Sequence, residues 1–414
     1  MTVTGRVGNR HLTHGAKPNL SGKWFDDTLN WLVGLYYTVD DGATPFGAHI
    51  NLDELFAAST PTGQVLVFDP TPLTADTTKA VFVDGSWSML EALRLVFGVR
   101  LSKERRELTQ TFHPYVEDRA TGLPVSSTVT QTLLDTGLLL ETCDKEHHAR
   151  DYASTDPKLG VEWDVLPDTM VYAQYQTAFK AGGFNSSNRC NQSYEPERIK
   201  SYELGLKTSL MDGGVVLNSA VFSYDYTDYQ VEKVEGFGSV IENAAAATVQ
   251  GLEIETVVTP TSWLNLDFKY SFLDAAYDEY MSRDNFNSST AFSQDAPVED
   301  LSGNRLSRSP RHSFTLGATL SADVGRYGLG RARFRIEGFY SDDVYFREFN
   351  QPIEKQDAYS TYDAFLSVDS ASENFTISLF AKNLTDERYQ IGQIPFDTIR
   401  YRGAYYAPPR TFGA

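Results

Sequence analysis

Side chains that could carry out chemistry are sparsely grouped in this sequence of 414 residues. The most conspicuous group is His147 and His148 with Asp144, Glu146 and Asp151, which could suggest a metal site. Adjacent histidines on a strand point to opposite faces, and in a loop they converge only with outside support. We therefore interpret this group as part of a solvated polar loop and predict no metal ligands.

Catalytic motifs are absent from the sequence. It contains no Gly-x-Ser-x-Gly elbow, no His-Glu-x-x-His pair and no glycine loop for phosphate groups. Paired carboxylates do occur at Asp40 with Asp41 and at Asp342 with Asp343, next to turn residues that place them in solvated loops. The sequence predicts neither an enzyme nor a bound cofactor.

The net charge and the two cysteines limit what the chain can bind. The formal net charge is -19 at pH 7, which would repel a nucleic-acid backbone, so no nucleic acid is expected to bind. Cys143 and Cys190 are too few and too widely spaced for a zinc site or a disulfide-built scaffold. They are compatible with one disulfide in an oxidising compartment, or with two unpaired thiols.

Alternation of apolar and polar residues is the main structural signal. It recurs in segments of about 10 residues, the length that a tilted strand needs to cross a bilayer. No run reaches the roughly 18 apolar residues that a membrane-spanning helix requires, so any membrane crossing must use strands. In residues 93–101, for example, the apolar positions are Leu93, Leu95, Phe97, Val99 and Leu101.

A soluble β-sandwich also alternates, because each of its sheets has one buried face. The lengths of the connections distinguish a β-sandwich from a transmembrane barrel. Short turns fall within residues 86–91, 164–168, 210–214, 259–263, 323–328 and 370–374. Long polar connections fall at residues 40–78, 103–156, 181–198, 229–248, 274–311, 342–359 and 385–398. Such regular sorting is typical of a transmembrane antiparallel β-barrel, with tight turns at one rim and extended loops at the other, and it predicts about fourteen strands.

Charged residues occupy the polar positions of these strands. One interpretation is that they line an aqueous lumen and guide a charged ligand, since arginine clusters suit carboxylate and phosphate groups. The simpler interpretation is that they pair with each other inside a wet barrel. The residues concerned are Arg94, Arg100, Glu203, Lys207, Glu253, Lys269, Arg333 and Arg335.

Several segments resemble the barrel of the TonB-dependent outer-membrane receptors, which import ferric siderophores and related scarce nutrients. One is Phe-Lys-Ala-Gly-Gly-Phe-Asn at residues 179–185, and another is Lys-Asn-Leu-Thr-Asp-Glu-Arg-Tyr at residues 382–389. Each is weak alone, but their order along the chain is specific. The others lie at residues 31–37, 194–197, 201–207, 243–245, 250–253, 309–312 and 406–413.

The resemblance implies a barrel of 22 strands in the outer membrane of a Gram-negative bacterium. It also implies a plug domain and a motif that contacts the TonB complex, both in an N-terminal region that we expect to be missing, as is a signal peptide. We expect residues 1–28 to be an incomplete leading strand or loop. Residues 29–414 would be a barrel portion truncated before the end of its last strand, with outer-membrane lipid around it.

The resemblance also suggests ligand contacts where a strand passes into an outward loop. Phe179, Phe184, Asn185 and Tyr194 could touch a ferric siderophore or a related small molecule, together with Arg94 and Arg100 on the inner wall. Alternatively, the aromatic residues belong to an interfacial girdle, and Gly182 with Gly183 makes a conformation that only glycine accepts. Rival functions for the whole chain are a passive porin and a soluble β-rich carbohydrate-binding protein.

Overall fold

Aromatic and β-branched segments with a two-residue period pair into one large antiparallel sheet in the computed structural model of this chain. The structure describes residues 3–7, 10–43, 46–52, 63–68, 72–112, 115–125, 143–185, 192–235, 238–287, 296–325, 328–372, 374–396 and 401–414. Within those residues, we find no helix with the length and apolar character needed to span a membrane.

The strands, in chain order, are β1 (Val3–Val7), β2 (Arg10–Ala16), β3 (Asn19–Trp24), β4 (Leu29–Ala43), β5 (Phe46–Asn51), β6 (Gln64–Phe68), β7 (Leu73–Leu90), β8 (Leu93–Phe112), β9 (Tyr115–Asp118), β10 (Cys143–Leu166), β11 (Thr169–Lys180), β12 (Gly183–Asn185), β13 (Gln192–Tyr194) and β14 (Glu197–Leu210). They continue with β15 (Val215–Glu235), β16 (Gly238–Thr261), β17 (Leu264–Glu279), β18 (Met281–Arg283), β19 (Val298–Asp300), β20 (His312–Asp323), β21 (Leu329–Ser341), β22 (Val344–Tyr345), β23 (Lys355–Gln356), β24 (Tyr359–Ser370), β25 (Thr376–Lys382), β26 (Gln390–Phe396), β27 (Tyr401–Tyr406) and β28 (Thr411–Gly413). Single 3-10 turns occur at Asn285–Asn287 and Pro352–Glu354.

Sixteen of the described strands form the large sheet, in the order β2-β4-β7-β8-β10-β11-β14-β15-β16-β17-β20-β21-β24-β25-β28, with β3 also paired to β4. The order of the strands in the sheet follows their order in the sequence, and the strands that lie between them in the sequence belong to smaller sheets, apart from β3. This confirms the predicted wall of a partial antiparallel barrel with about fourteen strands. The predicted boundary between residues 28 and 29 stays a prediction, although β2 and β3 before it already pair with β4.

The sheet has two chemically distinct faces. The outer face carries the aliphatic rows, in which Leu101, Leu204 and Leu316 are 50%, 56% and 58% exposed. Side chains this apolar and this exposed, repeated on strand after strand, require hydrocarbon rather than water beside them. The inner face carries the intervening polar and charged residues, among them every cation and carboxylate that the sequence placed on the lumen side.

The two ends of the sheet differ as predicted. At the short-turn end, strands are joined by a few residues, such as Pro167 and Asp168 between β10 and β11. At the long-connection end, the connections fold into small sheets of their own. These are β1-β5-β6-β9, β12-β13, β18-β19, β22-β23 and β26-β27.

Several strands extend farther into the predicted loops than the sequence indicated. Residues 103–156 were expected to be one polar loop, but β8 continues to Phe112 and β10 begins at Cys143, so His147 and His148 lie on a strand. Similarly, β15 and β16 occupy most of residues 229–248, and Asp40 with Asp41 belongs to β4. Beyond the bilayer both faces of a hairpin meet water, so its strands pair without the alternation by which we recognised the others.

A cluster of buried apolar residues lies at the long-connection end of the sheet. There the upper parts of β15, β16 and β17 pack against the connections that follow β17 and β21. Aromatic rings dominate the contact, with the Tyr277 and Tyr280 ring centroids 4.8 Å apart. The buried members are Val231, Ala244, Ala247, Ala275, Tyr277, Tyr280, Leu301, Leu306 and Phe349.

Candidate functional site

Most inner-face arginines are neutralised by carboxylates on neighbouring strands. Arg94, near the short-turn end of β8, places Nε 2.9 Å from Glu162 Oε2 and Nη2 3.0 Å from Asp164 Oδ1. Its register with β10 sets Arg94 directly opposite Glu162, so the pairing follows from the strand alignment. Because the arginine forks onto two carboxylates, its charge is satisfied by the wall itself.

Arg335 on β21, several strands farther along the same inner face, is paired with carboxylates in the same way. Its Nη1 and Nη2 contact the two carboxylate oxygens of Asp267 at 2.6 and 3.0 Å, and Nη2 also lies 2.6 Å from Glu337 Oε2. Arg333 Nη2 is 2.8 Å from Asp369 Oδ1. For these residues the structure supports mutual pairing, the simpler of the two interpretations.

Arg100 differs from them. Its Nε donates to Ser102 Oγ at 2.9 Å, and the guanidinium lies 5.3 Å from the Tyr36 ring and 6.0 Å from the Phe82 ring. Asp156 stands opposite Arg100 in the register, but its Oδ1 accepts hydrogen bonds from the Ser154 and Thr177 hydroxyls. Arg100 has no ion pair with any carboxylate in the described part of the chain, so it presents an available cation framed by aromatic rings.

Arg100 also lines an open cavity of about 340 Å³ on the inner face. Phe179, at the end of β11, lines the same cavity, together with Asp84 and Lys158, whose carboxylate and ammonium are 3.6 Å apart. The structure therefore brings together two of the six candidate ligand contacts, and it places Arg94 farther toward the short-turn end. A larger depression of about 960 Å³, lined mainly by apolar residues such as Leu159 and Leu204, lies where lipid would contact the wall.

The other three candidates belong to the β12-β13 hairpin at the rim. Asn185 is buried, and its side-chain amide both donates to the Ile241 carbonyl at 2.9 Å and accepts from the Ile241 amide at 2.7 Å. The Phe184 ring lies 5.8 Å from the ring of His148. Asn185 thus fastens the hairpin to β16, and ligand contact by Phe184, Asn185 and Tyr194 stays a prediction.

Tyr194 packs inward against the wall. Burial raises the pKa of its phenol, and its backbone carbonyl accepts a 3.4 Å hydrogen bond from the Tyr152 hydroxyl. A Cβ atom at Gly182 would lie 2.2 Å from that same carbonyl oxygen. Neither Gly182 nor Gly183 has a positive φ, so the expected glycine-only conformation was wrong, and close backbone approach is the reason for Gly182.

The histidine group shows no convergence on a metal. His147 Nδ1 lies 3.0 Å from Thr109 Oγ1, and His148 Nε2 lies 3.0 Å from Glu146 Oε2, on opposite faces of β10. Among the described residues no three His, Cys, Asp or Glu side chains form a group that could hold a metal ion. Cys143 begins β10, but Cys190 lies outside the described residues, so the disulfide stays a prediction.

Sequence reasoning missed a buried charge cluster at the long-connection end, centred on Arg347. Its guanidinium Nη1 is 2.6 Å from Glu354 Oε1, and Nη2 is 3.2 Å from Asp284 Oδ1. Arg402 joins it, with its guanidinium 4.0 Å from the Phe286 ring and Nη2 3.5 Å from Glu354. The cluster ties together three separate long connections, and no spacing in the sequence signals such a meeting.

Burial governs the electrostatics of this Arg347 cluster. Burial by itself would lower the pKa of Arg347, but Glu348, Glu354 and Asp284 raise it overall, so the arginine is held charged. Glu348 is 3% exposed, and burial raises the pKa of its carboxyl. The network thus joins the long connections to one another, while Glu348 Oε1, Glu354 Oε2 and Arg402 Nε keep no hydrogen-bond partner among the described residues.

Comparison with known proteins gives consistent relatives. The family model described as TonB dependent receptor-like, beta-barrel matches residues 4–384. The metal-pseudopaline receptor CntO of Pseudomonas aeruginosa is 25% identical over 268 residues, which are 62% of this chain and 32% of that protein. The probable TonB-dependent siderophore receptor PiuA of Acinetobacter baumannii is 23% identical over 239 residues, 56% of this chain and 30% of that protein.

Solved structures share the fold at lower identity. The ferric yersiniabactin uptake receptor FyuA from Yersinia pestis superposes with a TM-score of 0.73 at 19% identity, over 100% of this chain and 54% of that one. The siderophore receptor PiuA from Acinetobacter baumannii gives a TM-score of 0.72 at 18% identity, over 97% and 55%. The chain thus spans about half of these barrel proteins, and its match spans about a third of the curated relatives.

Proposed function

Because this chain belongs to the TonB-dependent receptor family, we propose that it forms barrel wall in an outer-membrane receptor that imports ferric siderophores or similar metal chelates. The observation that carries the proposal is that the sheet has an outer face of exposed aliphatic rows and an inner face of charged residues. Long connections crowd one rim only, which is where a receptor exposed to the medium would capture its ligand. This family consists of transport receptors rather than enzymes.

The class of ligand follows from the relatives and from the inner wall together. The similar proteins bind metal-pseudopaline or ferric yersiniabactin by their names. We infer that the cargo of this chain is a metal chelate that carries negative charge. Arg100 is a cation without a carboxylate partner in the described residues, set beside Tyr36 and Phe82. Guanidinium groups bind planar oxyanions through paired hydrogen bonds, so Arg100 with Phe179 is our proposed contact for the passing ligand.

Energy coupling is part of the same proposal. The outer membrane has no energy source of its own, so uptake against a gradient would require the TonB complex as a partner. That requirement separates the receptor from a passive porin, whose flux would be indifferent to TonB. The surrounding outer-membrane lipid is the second partner that the aliphatic face requires.

Growth on defined iron sources tests the proposal. A strain deleted for the receptor gene would receive the full-length gene and be supplied in turn with ferric chelates, cobalamin, haem or oligosaccharides as limiting nutrients. We expect a ferric or related metal chelate to restore growth, and deletion of TonB to abolish it. Rescue that persists without TonB would indicate a porin, and rescue by oligosaccharide alone would contradict the chelate assignment.

A matched pair of variants tests the proposed contact. Arg100→Gln should raise the chelate concentration for half-maximal uptake about tenfold, since a hydrogen bond to a charged group contributes about 1.5–3 kcal/mol. Lys200→Gln on β14 removes an equal charge from the outer face and should leave uptake unchanged. Equal uptake by the wild type and Arg100→Gln would show that Arg100 does not contact the ligand.

A further inference from the structure

Two lysines stand directly opposite each other on the outer face of the sheet. The register of β7 and β8 pairs Lys79 with Lys103, and both side chains are exposed. Tyr37 on β4 is the next member of the same row, and the Lys79 ammonium lies 5.9 Å from its ring centroid. Like charges in directly opposite positions destabilise a sheet, so this pair calls for a counter-ion.

The described part of the chain supplies no such counter-ion. Neither ammonium group forms an ion pair with a described carboxylate, although other cations of β8 do. Arg105, one step farther along the outer face of β8, is engaged by Glu107 and lies 3.6 Å from Asp151. An anion that neutralises Lys79 and Lys103 would therefore come from outside the described residues.

The position of Lys79 and Lys103 along their strands shows which part of the membrane they face. The aliphatic row of β8 starts at Leu93, opposite Trp163, and ends at Leu101, which is 50% exposed. At about 3.3 Å per residue and a tilt of about 40°, the ten residues from Leu93 to Lys103 rise about 25 Å, the height of the apolar band of a membrane barrel. Lys79 and Lys103 thus lie at its upper boundary, on the long-connection side.

We propose that Lys79 and Lys103, with Tyr37 beside them, bind a phosphate on the head group of a phosphorylated glycolipid in the outer leaflet. Lipid phosphates occupy this boundary, and two ammonium groups on adjacent strands can hold one phosphate between them. The flanking Tyr37 ring suits the interface between acyl chains and head groups, as interfacial aromatics do. The site rests on the outer-membrane placement proposed above.

Direct lipid binding tests the site without any transport. The full chain in non-ionic detergent micelles would be titrated with diphosphorylated lipid A, and bound lipid counted by native mass spectrometry. Each single substitution, Lys79→Ala or Lys103→Ala, should weaken binding about fivefold and the double substitution about 30-fold, since one basic residue near a lipid surface contributes about a factor of five. Lys79→Arg with Lys103→Arg keeps both charges and should retain binding.

Lys200→Ala is the matched control. Lys200 lies on the outer face of β14, ten residues above the turn after Leu210, but faces Asp225 across the register, so its loss should leave lipid binding unchanged. Retained folding of every variant is checked by the heat-dependent shift of the barrel in electrophoresis.

Three results would overturn the assignment: full binding by the double alanine variant, an equal loss with Lys200→Ala, or equal affinity for inorganic phosphate. Selective retention of an acidic protein instead of lipid would also overturn it. A chain that binds lipid A through both lysines but restores growth on no chelate would refute the proposed cargo and leave this site standing.

Discussion

Replacement of Arg347 by methionine is the most informative perturbation of this fold. Arg347 is 10% exposed in its side chain, and the two carboxylates that accept its hydrogen bonds, Asp284 and Glu354, are each 0% exposed. The Phe349 ring lies 4.7 Å from the guanidinium and covers it on one side. Methionine approximates the volume of arginine, so the substitution removes the charge without opening a large cavity.

The expected cost follows from what is left behind. Removing one partner of a buried ion pair costs about 3–5 kcal/mol, because the remaining charges are stranded out of water. Here the two carboxylates that accept its hydrogen bonds lose their cation, and so does Glu348, whose Oε1 lies 3.9 Å from the guanidinium. However, Gln351 still donates to Asp284 at 2.8 Å and Arg402 stays 3.5 Å from Glu354. We therefore expect the lower end of that range, about 3 kcal/mol, which corresponds to local opening about 150-fold more often.

Hydrogen exchange at single amides measures this opening. The amide of Phe346 donates to the Glu354 carbonyl at 2.8 Å, so its exchange reports the closed state of the connection. Arg311→Ala is the control, because Arg311 and Asp274 are 54% and 57% exposed and their pair should matter less than about fivefold. The amides of β20 and β21 should stay protected in both variants.

The second variant separates charge from packing. Arg347→Met combined with Asp284→Asn and Glu354→Gln removes the stranded charges and should recover most of the lost protection. Equal exchange at Phe346 in Arg347→Met and Arg311→Ala would refute the reasoning, since a buried and an exposed pair would then contribute alike. Failure of the triple variant to recover would show that guanidinium packing on Phe349, rather than charge, holds the connection.

Two further predictions concern the wall and the rim. Leu316→Arg places a cation on the outer face and should destabilise the folded barrel in lipid by about 2–4 kcal/mol, whereas Thr315→Arg, one residue earlier and on the inner face, should cost much less; urea unfolding in bilayers measures both, and equal losses would contradict the assignment of the faces. Gly182→Ala should destabilise the β12-β13 hairpin by about 1–3 kcal/mol, because its Cβ would meet a backbone carbonyl that cannot rotate away. Gly392→Ala, where the nearest atom lies 3.5 Å away, is its control, and hydrogen exchange of the Ile241 amide bound to Asn185 is the readout. Unchanged exchange in Gly182→Ala would contradict the close-approach argument.

The sequence predicted the sheet well where one physical constraint repeats. Each strand that crosses the hydrocarbon must show an apolar row outward, so its two-residue period is enforced residue by residue, as from Leu93 to Leu101. The sorting of short turns and long connections followed from the same geometry. The faces of the predicted inner charges were therefore right from β8 to β21.

Prediction failed where that constraint stops. The upper halves of β8 and β10 stay paired, from Lys103 opposite Ala153 to Phe112 opposite Cys143. The sequence nevertheless predicted a loop at residues 103–112 and 143–156, because water on both sides allows any polar side chain. The sequence did not predict the Arg347 cluster, for a different reason. Asp284, Arg347 and Arg402 come from three separate connections, and only the three-dimensional closure of the rim brings their charges together.

Arg94 and Arg100 show how far register can carry a functional argument. Both occupy the inner face of β8, and by residue type alone they are equivalent. The β8-β10 register sets Arg94 opposite Glu162, with Asp164 next along, whereas Arg100 faces Asp156, whose oxygen accepts bonds from Ser154 and Thr177. Arg94 is thereby held by two carboxylates of the wall, whereas Arg100 has no carboxylate partner among the described residues. Because the pairing of β8 with β10 sets which residues face the two arginines, their difference in ion pairing originates in strand alignment rather than in the arginines themselves.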